Sequence, residues 1–334
     1  MTPGIASCAS GLMIFAVPRH CGDLGDYILW AIKIFDDEGE KRNLALLKLA
    51  SDWGAGVEIA LYDSLGMGAA VDKVLREKFA PLSGHGLGLH LPHSMLCMRD
   101  LSVQQWTPEA KAEALGISWP ASGPLFEGPG EGSLLSAQAM RLAQEAAWAR
   151  SVSCLEAVIH LDRGNGVEDA WRRSDPSELA RECCAAIQAA SEMGLRLHME
   201  KTYESREWLT AFYRELSRQG LAPHFGFTLD LGHTRVWERE PLELWMEWIA
   251  ELDAQGFGLH FHLHGNPGDT DRHDTLSHCQ SMGWLDPDPE WAPNGALPIV
   301  KEIARLYEHK ALLVLENSTA QARENLGWVE LAIR

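Results

Sequence analysis

The amino-acid sequence predicts an α/β protein, a single (β/α)8 barrel over residues 1–334 with long loops at the C-terminal face. Three observations predict it. Short apolar runs alternate with helical stretches from residue 43 onward, the order that implies right-handed crossovers and a parallel sheet. Eight such units suit a chain of 334 residues, because these barrels take about 250 residues before insertions. The surplus falls in 92–132, rich in Pro, Gly and Ser, and in 264–296, rich in Asp, Pro and Gly. Both insertions follow strands, on the side where such barrels carry chemistry.

The elements follow in order. Asn43–Trp53 reads as a helix, with Leu44, Leu47, Leu49 and Ala50 as its apolar positions, and Gly56–Leu61 as a strand. Ala69–Phe79 is a helix, Gly86–Leu91 a strand, Ser133–Arg150 an Ala-rich helix and Leu155–Leu161 a strand. Ser174-Asp175-Pro176 is a cap followed by proline in the first turn, so a helix runs over Pro176–Met193. Then come strand Leu195–Glu200, helix Arg206–Gln219, strand Phe225–Leu231, helix Pro241–Ala254, strand Phe257–Leu263, helix Leu297–Tyr307, strand Ala311–Glu316 and a short helix from Ala320. Seven strands thus follow residue 56, and Leu12–Val17 is the candidate for the eighth. Residues 1–42 otherwise read as irregular; Tyr27–Phe35 fits either an added strand or an early helix.

Composition narrows the function classes. Asp and Glu number 47 against 29 Lys and Arg, a formal net charge of −18. That field repels polyanions and argues against nucleic acid as the partner. No apolar run nears the ~20 residues of a membrane helix, and Leu12–Val17 has no basic region before it, so neither a membrane span nor a secretory signal is expected. The seven cysteines are odd in number and form no Cys-x-x-Cys pair. They read as reduced, buried thiols of a cytoplasmic protein. A homo-oligomer is compatible with the sequence but not specified by it.

The strongest functional signal is where polar residues fall on the strands. Apolar runs end, one after another, at His90, at His160, at His198 and Glu200, at Asp230 with His233 beyond it, at His260, His262 and His264, and at Glu316. Side chains alternate across a strand, so His198 and Glu200 share one face, as do His260, His262 and His264. If those faces point inward, imidazoles and carboxylates converge on one mouth, which is costly unless compensated. A divalent cation compensates it, and the donor types suit zinc, manganese or magnesium. His20, His85, His224, His278 and His309 lack such placement and read as surface or structural.

In these segments the chain resembles the xylose-isomerase-like TIM barrel superfamily, which includes sugar and sugar-phosphate isomerases and epimerases, related dehydratases and endonuclease IV. The matching pieces are HLPH (90–93), VIH (158–160), LHME (197–200), LDLGH (229–233), HLHGN (262–266), DRH (271–273) and LVLEN (313–317). The resemblance implies that Glu200, Asp230, His262 and Glu316 are the central metal set. It implies that His90, His160, His233, Asp271 and His273 bind either substrate, as in the isomerases, or further zinc ions, as in the trinuclear endonuclease. The segment after His273 departs from the nuclease pattern, reading DTLSHCQ (274–280).

The expected activity is therefore a divalent-metal-dependent isomerase or epimerase of a small sugar, sugar phosphate or polyhydroxy acid. Its catalytic residues would be Glu200 and Glu316, one removing and one returning a proton through an enediolate. Arg235 would pair with a substrate carboxylate or phosphate, or serve only as a surface charge. The alternatives are an endonuclease IV-like zinc phosphodiesterase and a metal-dependent dehydratase or lyase. Of the 13 tryptophans, Trp106, Trp119, Trp171, Trp237, Trp284 and Trp291 fall in loops, where most are expected to plug those loops onto the barrel.

Overall fold

The computed structural model describes residues 30–62, 67–80, 86–91, 96–102, 106–107, 110, 136–162, 171–307 and 310–333. Eight parallel strands close a barrel in sequence order: β1 Trp30–Phe35, β2 Gly56–Ala60, β3 Leu87–His90, β4 Glu156–Ile159, β5 Arg196–Glu200, β6 Phe225–Asp230, β7 Gly258–Leu263 and β8 Leu312–Leu315. β8 pairs with β1 through Ala31 and Val314.

The first strand corrects the sequence reading. Leu12–Val17 lies outside the described residues, and the barrel closes without it. β1 is WAIKIF, inside Tyr27–Phe35, where the sequence left an added strand or an early helix open, and helix Glu40–Trp53 begins three residues before the expected Asn43. The run alternates between two buried faces: Trp30, Ile32 and Ile34 join the main core, while Ala31 and Lys33 take the other face. A lysine in that second set hid the pattern.

The same parity sorts every strand. Ile59, Leu89, Ile159, Met199, Phe227, Phe261 and Leu313 pack in the large cluster between barrel and helices. The opposite face carries Glu58, His90, Glu200, Asp230, His260 and His262, with a separate small apolar cluster of Ala31, Leu312 and Val314. Register places Leu312 and Val314 beside His260 and His262, so this second cluster lines the barrel interior. The interior is therefore largely polar, where such barrels usually stack aliphatic side chains.

Helices wrap the outside: Glu40–Trp53, Ala69–Val74, Met98–Ser102, Ala137–Ser151, Pro176–Glu192, Arg206–Arg218, Leu242–Gln255, Ala296–Tyr307 and Ala322–Ala332. Asp175 caps Pro176–Glu192 as the sequence predicts, accepting from the Glu178 amide at 2.8 Å. Two short helices lie at the mouth, Leu231–Val236 directly after β6 and Leu276–Ser281 inside the 264–296 insertion. Among the described residues no helix is long and apolar enough to cross a membrane.

Candidate metal centre

Parallel strands deliver all their C-terminal ends to one rim. β3, β5 and β6 end at His90, Glu200 and Asp230, and β7 carries His262 one residue before its end. His160 and Glu316 stand one residue beyond β4 and β8. Asp230 also caps helix Leu231–Val236, accepting from the His233 amide at 2.8 Å, which turns the chain so that His233 faces the same space.

Glu200, Asp230, His262 and Glu316 offer four donor atoms all within 4.8 Å of one another. His262 Nδ1 lies 2.7 Å from Glu316 Oε2, 3.4 Å from Glu200 Oε2 and 3.9 Å from Asp230 Oδ2. Nδ1 of His262 and Oε2 of Glu316 are buried and, despite their proximity, have no partner in hydrogen-bond geometry. Buried polar atoms left this way are costly. Three carboxylates and an imidazole converge here, two of their atoms without a hydrogen-bond partner, and that donor set suits a divalent cation, so the residues present fit the expected ion.

Histidines surround the set. His90 and His160 each place Nε2 at 3.1 Å from Glu200 Oε2, and His233 Nδ1 is 3.2 Å from Glu200 Oε1. A second group of close donors is His233, His264, Asp271 and His273. Asp271 stands 3.5 Å from His233 Nε2 and 3.1 Å from His273 Nε2. His264 stacks flat on His273, centroids 3.8 Å apart, and bonds Asp230 Oδ2 at 2.9 Å. His273 has φ of 50°, a strained value for a non-glycine residue. Asn266 Oδ1, which accepts from the His273 amide, and Asn317 Nδ2, which donates to its carbonyl, hold it there.

Burial by itself would raise the carboxyl pKa values here, but neighbours reverse it. His262 and His160 hold Glu200 well below the usual range; His262 and Lys33 do so for Glu316, and His233 and His273 for Asp271. Glu200, Glu316 and Asp271 are thus ionised at neutral pH, the state a cation requires.

Every sequence-predicted site residue except Arg235 borders this mouth. Arg235 points away: its guanidinium donates to the carbonyls of Asn266 at 2.9 Å and Trp284 at 2.6 Å, and lies 5.0 Å over the Trp291 ring. It fastens the 264–296 insertion to helix Leu231–Val236 and does not line the cavity. Trp291 and Trp171 plug loops as expected, Trp171 against Trp208. Trp237, in contrast, lines the cavity beside Tyr203. Trp119, His20, His85 and His309 lie outside the described residues; His224 and His278 are exposed.

Two buried charged residues on the inward faces of strands escape the sequence reading. Lys33 lines the cavity and donates to Glu316 Oε1, and Glu58 contacts both Lys33 and His262. A lone charge on the inward parity of an apolar strand, Lys33 in WAIKIF and Glu58 in GVEIA, is the signal that could have found them. Strand alternation puts His264 on the face of His262 but gives it no role.

No family model matches the chain, and no curated protein matches it. Solved structures do. TTHB071 protein from Thermus thermophilus, soaked with ZnCl2, superposes with a TM-score of 0.53 at 20% identity, covering 91% of this chain and 97% of that one. The fold they share with this chain is the eight-stranded (β/α)8 barrel. The 3-keto-D-glucoside 4-epimerase of E. coli gives 0.51 at 13% identity over 91% and 100% of the two chains. A xylose isomerase domain protein from Planctomyces limnophilus gives 0.50 at 14% over 92% and 97%. The likeness is one of fold: what this barrel does is argued from its own mouth.

Proposed function

We propose that the chain is a divalent-metal-dependent isomerase or epimerase of a small sugar, sugar phosphate or polyhydroxy acid. One observation carries the reading. Glu200 and Glu316, from strands on different sides of the rim, bring oxygens within 4.8 Å of each other at the edge of a cavity of about 210 Å³. Such a space takes a small polyhydroxy molecule. The epimerases among similar folds add to the support.

Glu200, Asp230, His262 and Glu316 would hold the ion, zinc, manganese or magnesium. When bound it polarises a carbonyl and the neighbouring hydroxyl, acidifying the C–H between them. Glu200 and Glu316 then act on that carbon, one taking the proton as a carboxylate and the other returning one that it has drawn from solvent. His160 and His233 orient substrate oxygens, and Tyr203 and Trp237 wall the cavity against water. The test has two parts. Protein purified without chelators should hold about one divalent ion per chain by elemental analysis. In heavy water it should exchange a substrate C–H proton from a panel of aldoses and ketoses. Glu200→Gln and Glu316→Gln should each abolish the exchange while the circular dichroism stays native. Undiminished exchange in either variant refutes the acid–base assignment.

The second donor group, His233, His264, Asp271 and His273, favours one other reading, a trinuclear zinc phosphodiesterase. About three zinc ions per chain, with abasic-duplex cleavage lost in Asp271→Ala, would select it.

A further inference from the structure

Glu58 and Lys33 face each other in register on β2 and β1 and are both buried, at 0% and 3% exposure. Glu58 Oε2 accepts from His262 Nε2 at 3.1 Å and lies 3.2 Å from His260 Nε2. A carboxylate is an acceptor only, so this contact holds a proton on His262 Nε2 and leaves Nδ1 as the ring atom open to a cation. Lys33 does the matching task on β8. Its ammonium donates to Glu316 Oε1 and leaves Oε2 uncommitted.

Two ligand side chains are thereby each split into a held atom and a free atom. The free atoms, His262 Nδ1 and Glu316 Oε2, are the two that stand 2.7 Å apart with no hydrogen-bond partner. A bland account makes Glu58 merely the counter-ion of a buried lysine. On that account Lys33 should sit against Glu58. It stands 3.7 Å from Glu58 Oε1 and in direct contact with Glu316.

We propose that Glu58 and Lys33 are the positioning residues of the metal centre, Glu58 setting the tautomer and ring orientation of His262 and Lys33 the orientation of Glu316. The assignment rests on the metal-centre reading of the mouth. Partners behind a ligating histidine are worth about 10–100-fold in metal affinity.

The test measures affinity for zinc and for manganese on the full chain, by competition with a chromophoric chelator. The variants are Glu58→Gln, Glu58→Leu and Lys33→Met, with apo unfolding followed in parallel. Glu58→Leu should weaken binding about 10–100-fold, and Glu58→Gln less, because its amide oxygen still accepts from His262. Lys33→Met is the discriminating variant. Removing a positive charge beside a cation site strengthens binding if charge alone matters, whereas losing the hold on Glu316 weakens it. Weaker binding in Lys33→Met supports positioning; equal or tighter binding overturns it. Unchanged affinity in Glu58→Leu overturns it too, and if that variant fails to fold, unchanged affinity in Glu58→Gln decides the same way. A wild-type chain that binds neither ion overturns the metal centre itself.

Discussion

Gly232 sits in the helix that follows β6, and an added methyl there separates local from tertiary effects. Its Cβ would lie 2.2 Å from His264 Cε1 and 2.5 Å from Nδ1. The imidazole has nowhere to go, being stacked on His273 at 3.8 Å and bonded to Asp230 at 2.9 Å. Overpacking of this kind costs about 1–3 kcal/mol. Breaking a hydrogen bond to a charged group costs about 1.5–3 kcal/mol more. Helix propensity returns at most about 1 kcal/mol. Gly232→Ala should therefore destabilise the fold by about 2–5 kcal/mol, and it should weaken metal retention by releasing Asp230. Gly327, inside helix Ala322–Ala332, has nothing within 4 Å of its would-be Cβ. The same substitution there should stabilise by about 0.5–1 kcal/mol. Urea unfolding followed by tryptophan fluorescence reads both. A Gly232→Ala protein as stable as wild type would refute the argument, since it would mean that the His264 ring is not held where the stack and the Asp230 bond put it.

Groups outside the mouth or beneath it give three further expected outcomes. Burial pushes the Glu145 carboxyl up to about 7 in spite of its ion pair with Arg141. The folded state then holds a proton that the unfolded state releases, so stability should fall by about 3 kcal/mol as pH rises from about 4.5 to about 7, then level off; Glu145→Gln should flatten that slope, and an unchanged slope would remove Glu145 as its cause. Burial likewise raises the thiols of Cys97, Cys154 and Cys279 to about 12, so peptide mapping after native alkylation at pH 8 should find them unmodified until urea is added. Lys201, fully buried, donates to the carbonyls of Thr202 at 2.7 Å, Trp237 at 2.8 Å and His233 at 3.3 Å. Lys201→Met should cost about 3 kcal/mol or more in thermal or urea unfolding, by leaving those acceptors bare; a loss below about 1 kcal/mol would show the contacts to be incidental.

The order of strands and the ends at which they carry chemistry were legible in the sequence. A strand repeats every two residues, so a histidine or carboxylate at the end of an apolar run announces both the strand and the face it presents. That is why Glu200, Asp230, His262 and Glu316, named from strand ends and resemblance, fall within one 4.8 Å group. β1 was harder, because Lys33 interrupts its apolar run and an uninterrupted apolar candidate lay upstream at Leu12–Val17.

What each charge is paired with was decided only by closing the barrel. Lys33 meets Glu316 across 283 residues of chain, and Glu58 meets His262 across 204. Local periodicity carries no information about partners that far apart: the pairing of β8 with β1 brings them together. The same holds for Arg235, whose place after β6 suggested a substrate contact. The 264–296 insertion folds back over it and accepts from its guanidinium, and an arginine in the last turn of a short helix cannot announce that from its neighbours in sequence. Sequence by itself determined the barrel and the inward-facing donors, because both follow from short-range alternation. Tertiary structure decided which donors are held and which are left free for an ion, because that depends on side chains from strands distant in sequence meeting at one rim.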